Sequence, residues 1–289
     1  LAEIDFSIVA PSGDVIPLVS EPGERGDFRL RSGVDGFGVP TAIPRFVDSA
    51  GEGGTDRGGR TGMRDVDLPV EVRARSRQGM ETNLRRLAAA FRRSSKGKPM
   101  LQAAYATGEV FQLPFVYLSG AESTYQGDGP FVHEWPLSLR CPKPYWVKRD
   151  AETFIVRNDS AVVGLLPDLS QLKVMRSQAI GSVTVENPGD VASPLTWILT
   201  GPGGPVHADI DGVGWTFKAL LEEGDVITID GVTKRVTDQL GRNRYSDMGP
   251  APKFFQLPEG KTRINIQMEN ATLASRVTGS YKPRRELIY

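Results

Sequence analysis

Apolar and polar residues alternate with period two along most of this chain. Near the start, Ile4, Phe6, Ile8 and Ala10 alternate with Asp5, Ser7 and Val9, which predicts a first strand over Ile4–Ala10 rather than a secretion signal. The same pattern predicts strands at Leu68–Ala74, Val110–Leu118 and Trp135–Leu139. One segment changes period: from Arg77 to Arg93 the apolar positions Met80, Leu84, Leu87, Ala88 and Phe91 recur at helical spacing. Ser76 stands ready as N-cap, and Gly97 and Pro99 as terminators. Between Gly23 and Gly62 the periodicity is weak and six glycines crowd Gly51–Gly62, which predicts a long loop or arm ordered by a partner.

The second half repeats short strands at close intervals: Val183–Glu186, Leu195–Thr200, Val206–Ile210, Val226–Ile229, Thr233–Val236, Phe254–Leu257, Arg263–Met268 and Leu273–Val277. That spacing predicts an antiparallel sandwich or jelly roll. Within it, Val226–Val236 reads as a hairpin turning on Asp230-Gly231. The fold expected is therefore mainly β, with one helix in the first half. The proline-interrupted stretch from Cys141 to Trp146 separates a domain over 1–147 from one over 148–289.

Composition narrows the function. The 289 residues carry 35 Lys and Arg against 35 Asp and Glu, and each side of Val147 balances as well, so no long-range field draws the chain to nucleic acid or an anionic membrane. A single cysteine, Cys141, excludes an intramolecular disulfide framework, and two histidines exclude a multi-histidine metal site. The longest apolar stretches, such as Ala161–Leu166, fall short of the roughly 18 residues a membrane helix needs. No membrane insertion is expected.

Several clusters invite chemistry. Asp209 and Asp211 share a strand face and could hold a hard cation, but the further ligands of a calcium loop are missing; a solvated strand end leading to a turn is preferred. Gly201-Pro202-Gly203-Gly204-Pro205 lacks the Lys-Ser/Thr of a phosphate loop and is read as a connection. His133 and Glu134 are strand neighbours on opposite faces. His207 shares a face with Asp209, but no nucleophile accompanies it. No catalytic, cofactor-binding or metal-binding residue is assigned, and neither an enzyme nor a cofactor is expected.

From Arg73 to Lys98 nine residues are basic and one, Glu81, is acidic. On the helix, Arg85, Arg86, Arg92 and Arg93 lie opposite the apolar stripe and form a basic face. It is solvated or docks on an acidic neighbour, such as the stretch Asp209–Asp230; without interleaved exposed aromatics, sequence-specific nucleic-acid binding is not expected.

The order of features carries a resemblance. Gly33-Val34-Asp35-Gly36-Phe37-Gly38-Val39-Pro40 follows an N-terminal hairpin over 4–19 and precedes the glycine-rich loop. Arg64-Asp65-Val66-Asp67-Leu68-Pro69-Val70, a helix centred on Asn83-Leu84-Arg85-Arg86-Leu87, and Cys141-Pro142-Lys143-Pro144-Tyr145-Trp146 come next. The second half adds Val185-Glu186-Asn187-Pro188-Gly189-Asp190, Leu221-Glu222-Glu223-Gly224-Asp225, Phe255-Gln256-Leu257-Pro258-Glu259-Gly260 and Tyr281-Lys282-Pro283-Arg284-Arg285. In this order the chain resembles the distal tail proteins of bacteriophages with long non-contractile tails, particularly actinobacteriophage-like members. The resemblance implies an N-terminal ring-forming domain and a C-terminal galectin-like β-sandwich. It further implies a homo-hexameric structural hub in the virion, at the distal end of the tail and assembled in the host cytoplasm. Its partners would be the tail tube protein, the tape-measure protein and the tip or baseplate proteins. The alternative is a carbohydrate-binding module that presents Trp197 or Trp215 to host cell-wall sugars, although strand tryptophans are more often core residues and burial of both is preferred. A wall hydrolase is the weakest reading, since no nucleophile or carboxylate pair is assigned.

Overall fold

The computed structural model describes residues 4–19, 26–92, 97–122, 132–157 and 178–288, with only the backbone of 178–180. Contacts divide the chain into two units, Leu1–Arg149 with Arg285–Tyr289 and Asp150–Arg284. The first break lies two residues beyond the one read from sequence, and the last five residues group with the first unit.

Unit 1 is built from β1 (Ile4–Val9), β2 (Val15–Leu18), β3 (Phe28–Leu30), β4 (Ala42–Asp48), β5 (Gly54–Thr61), β6 (Arg64–Arg73), α1 (Arg77–Ala90), β7 (Met100–Tyr105), β8 (Val110–Pro114), β9 (Val116–Ser119), β10 (Val132–Cys141) and β11 (Trp146–Lys148). Unit 2 carries β12 (Glu152–Arg157), β13 (Gln178–Asn187), β14 (Ser193–Thr200), β15 (Val206–Ile210), β16 (Val213–Phe217), β17 (Val226–Asp230), β18 (Arg235–Asp238), β19 (Gln256–Leu257), β20 (Gly260–Glu269) and β21 (Arg276–Tyr281), and β22 (Arg284–Arg285) closes the series. The protein is mainly β with one α-helix among the described residues, as the alternation implies.

In unit 1 one sheet runs β2-β1-β7-β8-β11-β22 and a second runs β3-β6-β10-β9. Alternation decides what faces inward: Val66, Leu68, Val70 and Val72 on β6, and Trp135, Leu137, Leu139 and Cys141 on β10, enter one buried cluster with Ile8, Leu101 and Phe111. The sequence run Val110–Leu118 is two strands rather than one. Phe115 is fully buried between them, and the chain changes sheets there, because β8 pairs β7 whereas β9 pairs β10. Continuous alternation cannot reveal such a change, since Tyr117 on β9, partly buried against the same cluster, continues the parity of Phe111, Leu113 and Phe115.

Helix α1 starts where expected. Ser76 is extended at φ −149°, and its Oγ accepts the Gly79 N–H at 3.1 Å. The helix ends at Ala90 with Phe91 as C-cap, a turn short of the predicted Arg93, which lies outside the described residues. Met80, Leu87 and Ala90 are buried, whereas Leu84 and Phe91 are only partly covered. Leu87→Ala is therefore expected to destabilise unit 1 by about 2–5 kcal/mol and Leu84→Ala by clearly less. Denaturation midpoints of the two variants check this; equal midpoints would place the helix on the wrong face.

Unit 2 is a two-sheet antiparallel sandwich. One sheet runs β12-β21-β14-β17-β18 with β19 beside β14, the other β13-β20-β15-β16. Trp197, Trp215, Phe217, Ile229, Ile264 and Ile266 meet in its core. Two expectations need correction. The strand expected at Leu273–Val277 is displaced to Arg276–Tyr281, leaving Leu273 81% exposed, because Thr272 and Ser275 fold the chain back through mutual hydrogen bonds. The primed turn is also elsewhere.

At Asp230-Gly231 the pairing runs one residue further along β17 than a two-residue turn there allows. Asp230 pairs Arg235, leaving a four-residue loop in which Lys234 takes the left-handed conformation at φ 59°. Gly231 serves a different need: a Cβ there would sit 2.3 Å from the Leu195 carbonyl oxygen, which accepts the Gly231 N–H. The two-residue primed turn forms instead at Asp211-Gly212, with φ 52° and 78°, because Ile210 pairs Val213 directly.

Candidate assembly site

The glycine-rich segment predicted as a loop is largely a two-stranded hairpin, β4 with β5. Its tip is closed by the Ser49 N–H donating to the Gly53 carbonyl (3.0 Å), and its base by the Gly62 N–H donating to Thr41 (2.8 Å) and a 2.8 Å hydrogen bond between the Thr61 and Tyr145 hydroxyls. Midway, Arg57 and Gly58 stand opposite Arg45 alone, a bulge that Gly58 permits at φ 79°. At Gly59 a Cβ would meet the Ile43 carbonyl oxygen at 2.5 Å, so the close approach of the strands needs glycine.

Every residue of both strands is exposed. That is why period-two reasoning missed them: a strand with no buried face selects no alternating apolar residues. Yet Ile43, Phe46 and Val47 lie in water, Phe46 at 64% exposure, beside Arg45, Arg57 and Arg60 and the carboxylates Asp48, Glu52 and Asp56. A short ribbon with two solvated faces gains almost nothing from burial, and an isolated two-stranded hairpin is marginal in water.

The basic helix face is differently arranged from the sequence expectation. Arg86 is held within the chain, its Nε and Nη2 donating to the two Asp14 oxygens at 2.7 and 2.6 Å and Nη2 also to the Val15 carbonyl at 3.0 Å, with the guanidinium over the Phe28 ring. This hydrogen-bonded pairing holds the Asp14 carboxyl below its ordinary range. Arg85 pairs with Glu81 one turn earlier at 2.6 Å. Arg92 is exposed and Arg93 lies outside the described residues, so of the predicted face Arg85 and Arg86 are paired within the chain.

The remaining candidates are accounted for locally. Asp209 is buried, its Oδ1 accepting from the Gly212 N–H (2.9 Å) and the Asn265 amide (3.2 Å), while Asp211 sits in the turn; the two do not converge. His207 does share a face with Asp209: Nε2 lies 3.3 Å from Asp209 Oδ2, and Nδ1 is 2.9 Å from the Thr216 hydroxyl. His133 packs edge-on to Trp135, two residues along β10, at 6.2 Å between ring centroids. Cys141 is buried, and desolvation pushes its thiol up to about 12, an unreactive state. Gly201–Pro205 connects β14 to β15, as read from sequence. Trp197 and Trp215 are 2% and 1% exposed, buried as tryptophans on core-facing strand positions ordinarily are, so neither presents a ring to a sugar. Among the described residues no group of three His, Cys, Asp or Glu converges on a metal site, and no helix is long and apolar enough to cross a membrane.

No family model matches the chain, and no curated protein matches it. Its fold, however, is found among solved structures. The Dit (gp 19.1) protein of phage SPP1, a paradigm of the hub adsorption apparatus in phages infecting Gram-positive bacteria, superposes with a TM-score of 0.64 at 15% identity. The match spans 96% of this chain and 98% of that one. Chains of the phage p2 baseplate in its activated conformation, with strontium and with calcium, match with TM-scores of 0.53 and 0.52. Both are 11% identical, and 99% of this chain and 100% of each of those are covered. The chain thus has the fold of these hub and baseplate proteins from end to end.

Proposed function

We propose that this protein is a structural hub subunit at the distal end of a phage tail, a non-enzymatic virion component that closes into a homo-hexameric ring. The ring joins the tail tube to the tip or baseplate, with the tape-measure protein as a further neighbour, and unit 2 stands as a galectin-like sandwich on its outside. The observation that carries this reading is the likeness of fold to the SPP1 hub protein, which extends through both units rather than one. Loop-sized or single-domain likeness would carry no such weight.

The exposed β4–β5 hairpin supplies what a ring demands. A closed ring repeats one heterologous contact, so each subunit needs a projecting element and a different surface to receive it. The hairpin offers unpaired strand edges, apolar side chains at Ile43, Phe46 and Val47, and three cations balanced by three carboxylates, which lets identical copies approach without net repulsion. Phe46→Asp together with Val47→Asp is expected to abolish the ring while changing the stability of the isolated subunit, compared with wild type diluted to monomer, by less than about 0.5 kcal/mol, since neither side chain is buried in the subunit. Sedimentation and thermal unfolding of the same preparation read both effects. The functional assignment itself is tested by gold-labelled antibody on purified particles: label at the tail tip supports it, and label on the head or on no particle component refutes it.

A further inference from the structure

The last residues of the chain are held in unit 1 at three separate points, each made by groups that other parts of unit 1 already fix. The Arg285 guanidinium lies over the Phe111 ring at 4.3 Å and the Tyr105 ring at 5.3 Å, with Nη2 3.3 Å from Glu109 Oε2. Glu109 is independently held by Lys148 at 3.0 Å. One residue on, the Glu286 carbonyl accepts a hydrogen bond from Arg64 Nη2. Arg64 is itself 3% exposed and anchored by donation to the carbonyls of Pro144 (2.7 Å), Gly36 (2.6 Å) and Gly38 (2.7 Å). After a bend at Glu286, the Ile288 N–H donates to the Phe37 carbonyl and its side chain, 1% exposed, joins the buried cluster that contains Trp146. Phe37 is fixed by stacking on Phe6 at 4.9 Å and by edge contact with Trp146 at 5.6 Å. Leu287, between the anchors, is exposed.

These contacts have the form of peptide recognition: a short strand, β22, hydrogen-bonded beside β11, a backbone carbonyl gripped by a fixed donor, and two side-chain seats of opposite character, rings and a carboxylate for Arg285 and the apolar cluster for Ile288. A seat whose groups are oriented by other partners needs no ordering when the peptide arrives, and preorganisation of that kind is what lets a short segment bind. We propose that unit 1 carries a strand-peptide binding site selective for an arginine followed three residues later by an aliphatic side chain, and that the chain's own residues 285–288 are its resident ligand. The site is a recognition surface separable from the covalent connection, so the same peptide binds when supplied as a separate molecule to a seat that has been emptied.

The test uses the full-length chain with Arg285→Gln and Ile288→Ser, and a fluorescently labelled peptide of residues 282–289 followed by anisotropy. Saturable binding to this variant is expected, with at least about ten-fold weaker binding to the wild type, whose tethered tail competes at an effective concentration of order millimolar. A peptide carrying the same two substitutions is expected not to saturate. No saturable binding to a variant whose circular dichroism matches the wild type would overturn the proposal, as would equal binding of the substituted peptide. Should the double variant fail to fold, Arg285→Gln alone removes the ring and carboxylate contacts while leaving Ile288 in place. Wild-type peptide is then expected to bind it more tightly than it binds wild-type protein, and equal affinity for the two overturns the proposal.

Discussion

Trp197→Ala is expected to destabilise unit 2 by about 3–5 kcal/mol, the range for emptying a large buried aromatic site. The indole is 2% exposed and stands edge-on to Phe154, Trp215 and Phe255, at 5.6, 5.5 and 5.8 Å between centroids, so its loss leaves three rings without their common partner. Its neighbour on β14, Ile198, points to the other side and is 37% exposed. Ile198→Ala is accordingly expected to cost less than about 1 kcal/mol. Denaturant unfolding followed by a probe in each unit separates the effects, with the transition of unit 2 moving and that of unit 1 unchanged. Equal shifts for the two variants would contradict the face assignment. The comparison also bears on the carbohydrate-binding alternative, because loss of glycan binding in a Trp197 variant would report an unfolded sandwich, not a missing platform.

Arg64→Met is expected to destabilise unit 1 by at least about 3 kcal/mol. Arg64 is a buried cation whose partners are carbonyl oxygens of Gly36, Gly38, Pro144 and Glu286, drawn from three distant parts of the sequence. Two effects compete. Methionine relieves the desolvation of the guanidinium, which holds its pKa below the ordinary arginine value, but it withdraws donors from four carbonyls at once. A buried polar group left without its partner costs about 1–3 kcal/mol, and although these four carbonyls are only part-buried, so that each costs toward the low end, together they outweigh the relief. Arg64→Lys keeps the charge without the planar fork and is expected to fall between wild type and Arg64→Met. Thermal unfolding of unit 1 decides the order; a methionine variant as stable as wild type would show that the clamp contributes nothing net.

Where a strand or helix has one buried face, its sequence reveals it. Alternation located β1, β6, β10 and most of the sandwich, and the stripe Met80, Leu84, Leu87 located α1. The hairpin β4–β5 escaped because nothing along it is buried. The primed turn is not legible locally because two Asp-Gly pairs look alike, and only the pairing of Ile210 with Val213 selects Asp211-Gly212. Arg64 escaped for a related reason: its value comes from carbonyl groups, which every residue carries, so no pattern of side chains announces it. His207 and Asp209 share a face, as their spacing of two along a strand implies, and their contact supplies no site by itself.

The most direct test of the hub assignment is the assembly state of the purified full-length chain, measured by light scattering over a concentration series, alone and with a tape-measure fragment, and by electron microscopy of the same samples. The account predicts a species of six subunit masses that appears in projection as a ring with six-fold symmetry and disappears in the Phe46→Asp, Val47→Asp variant. A protein that stays monomeric at every concentration, with and without the fragment, would contradict it.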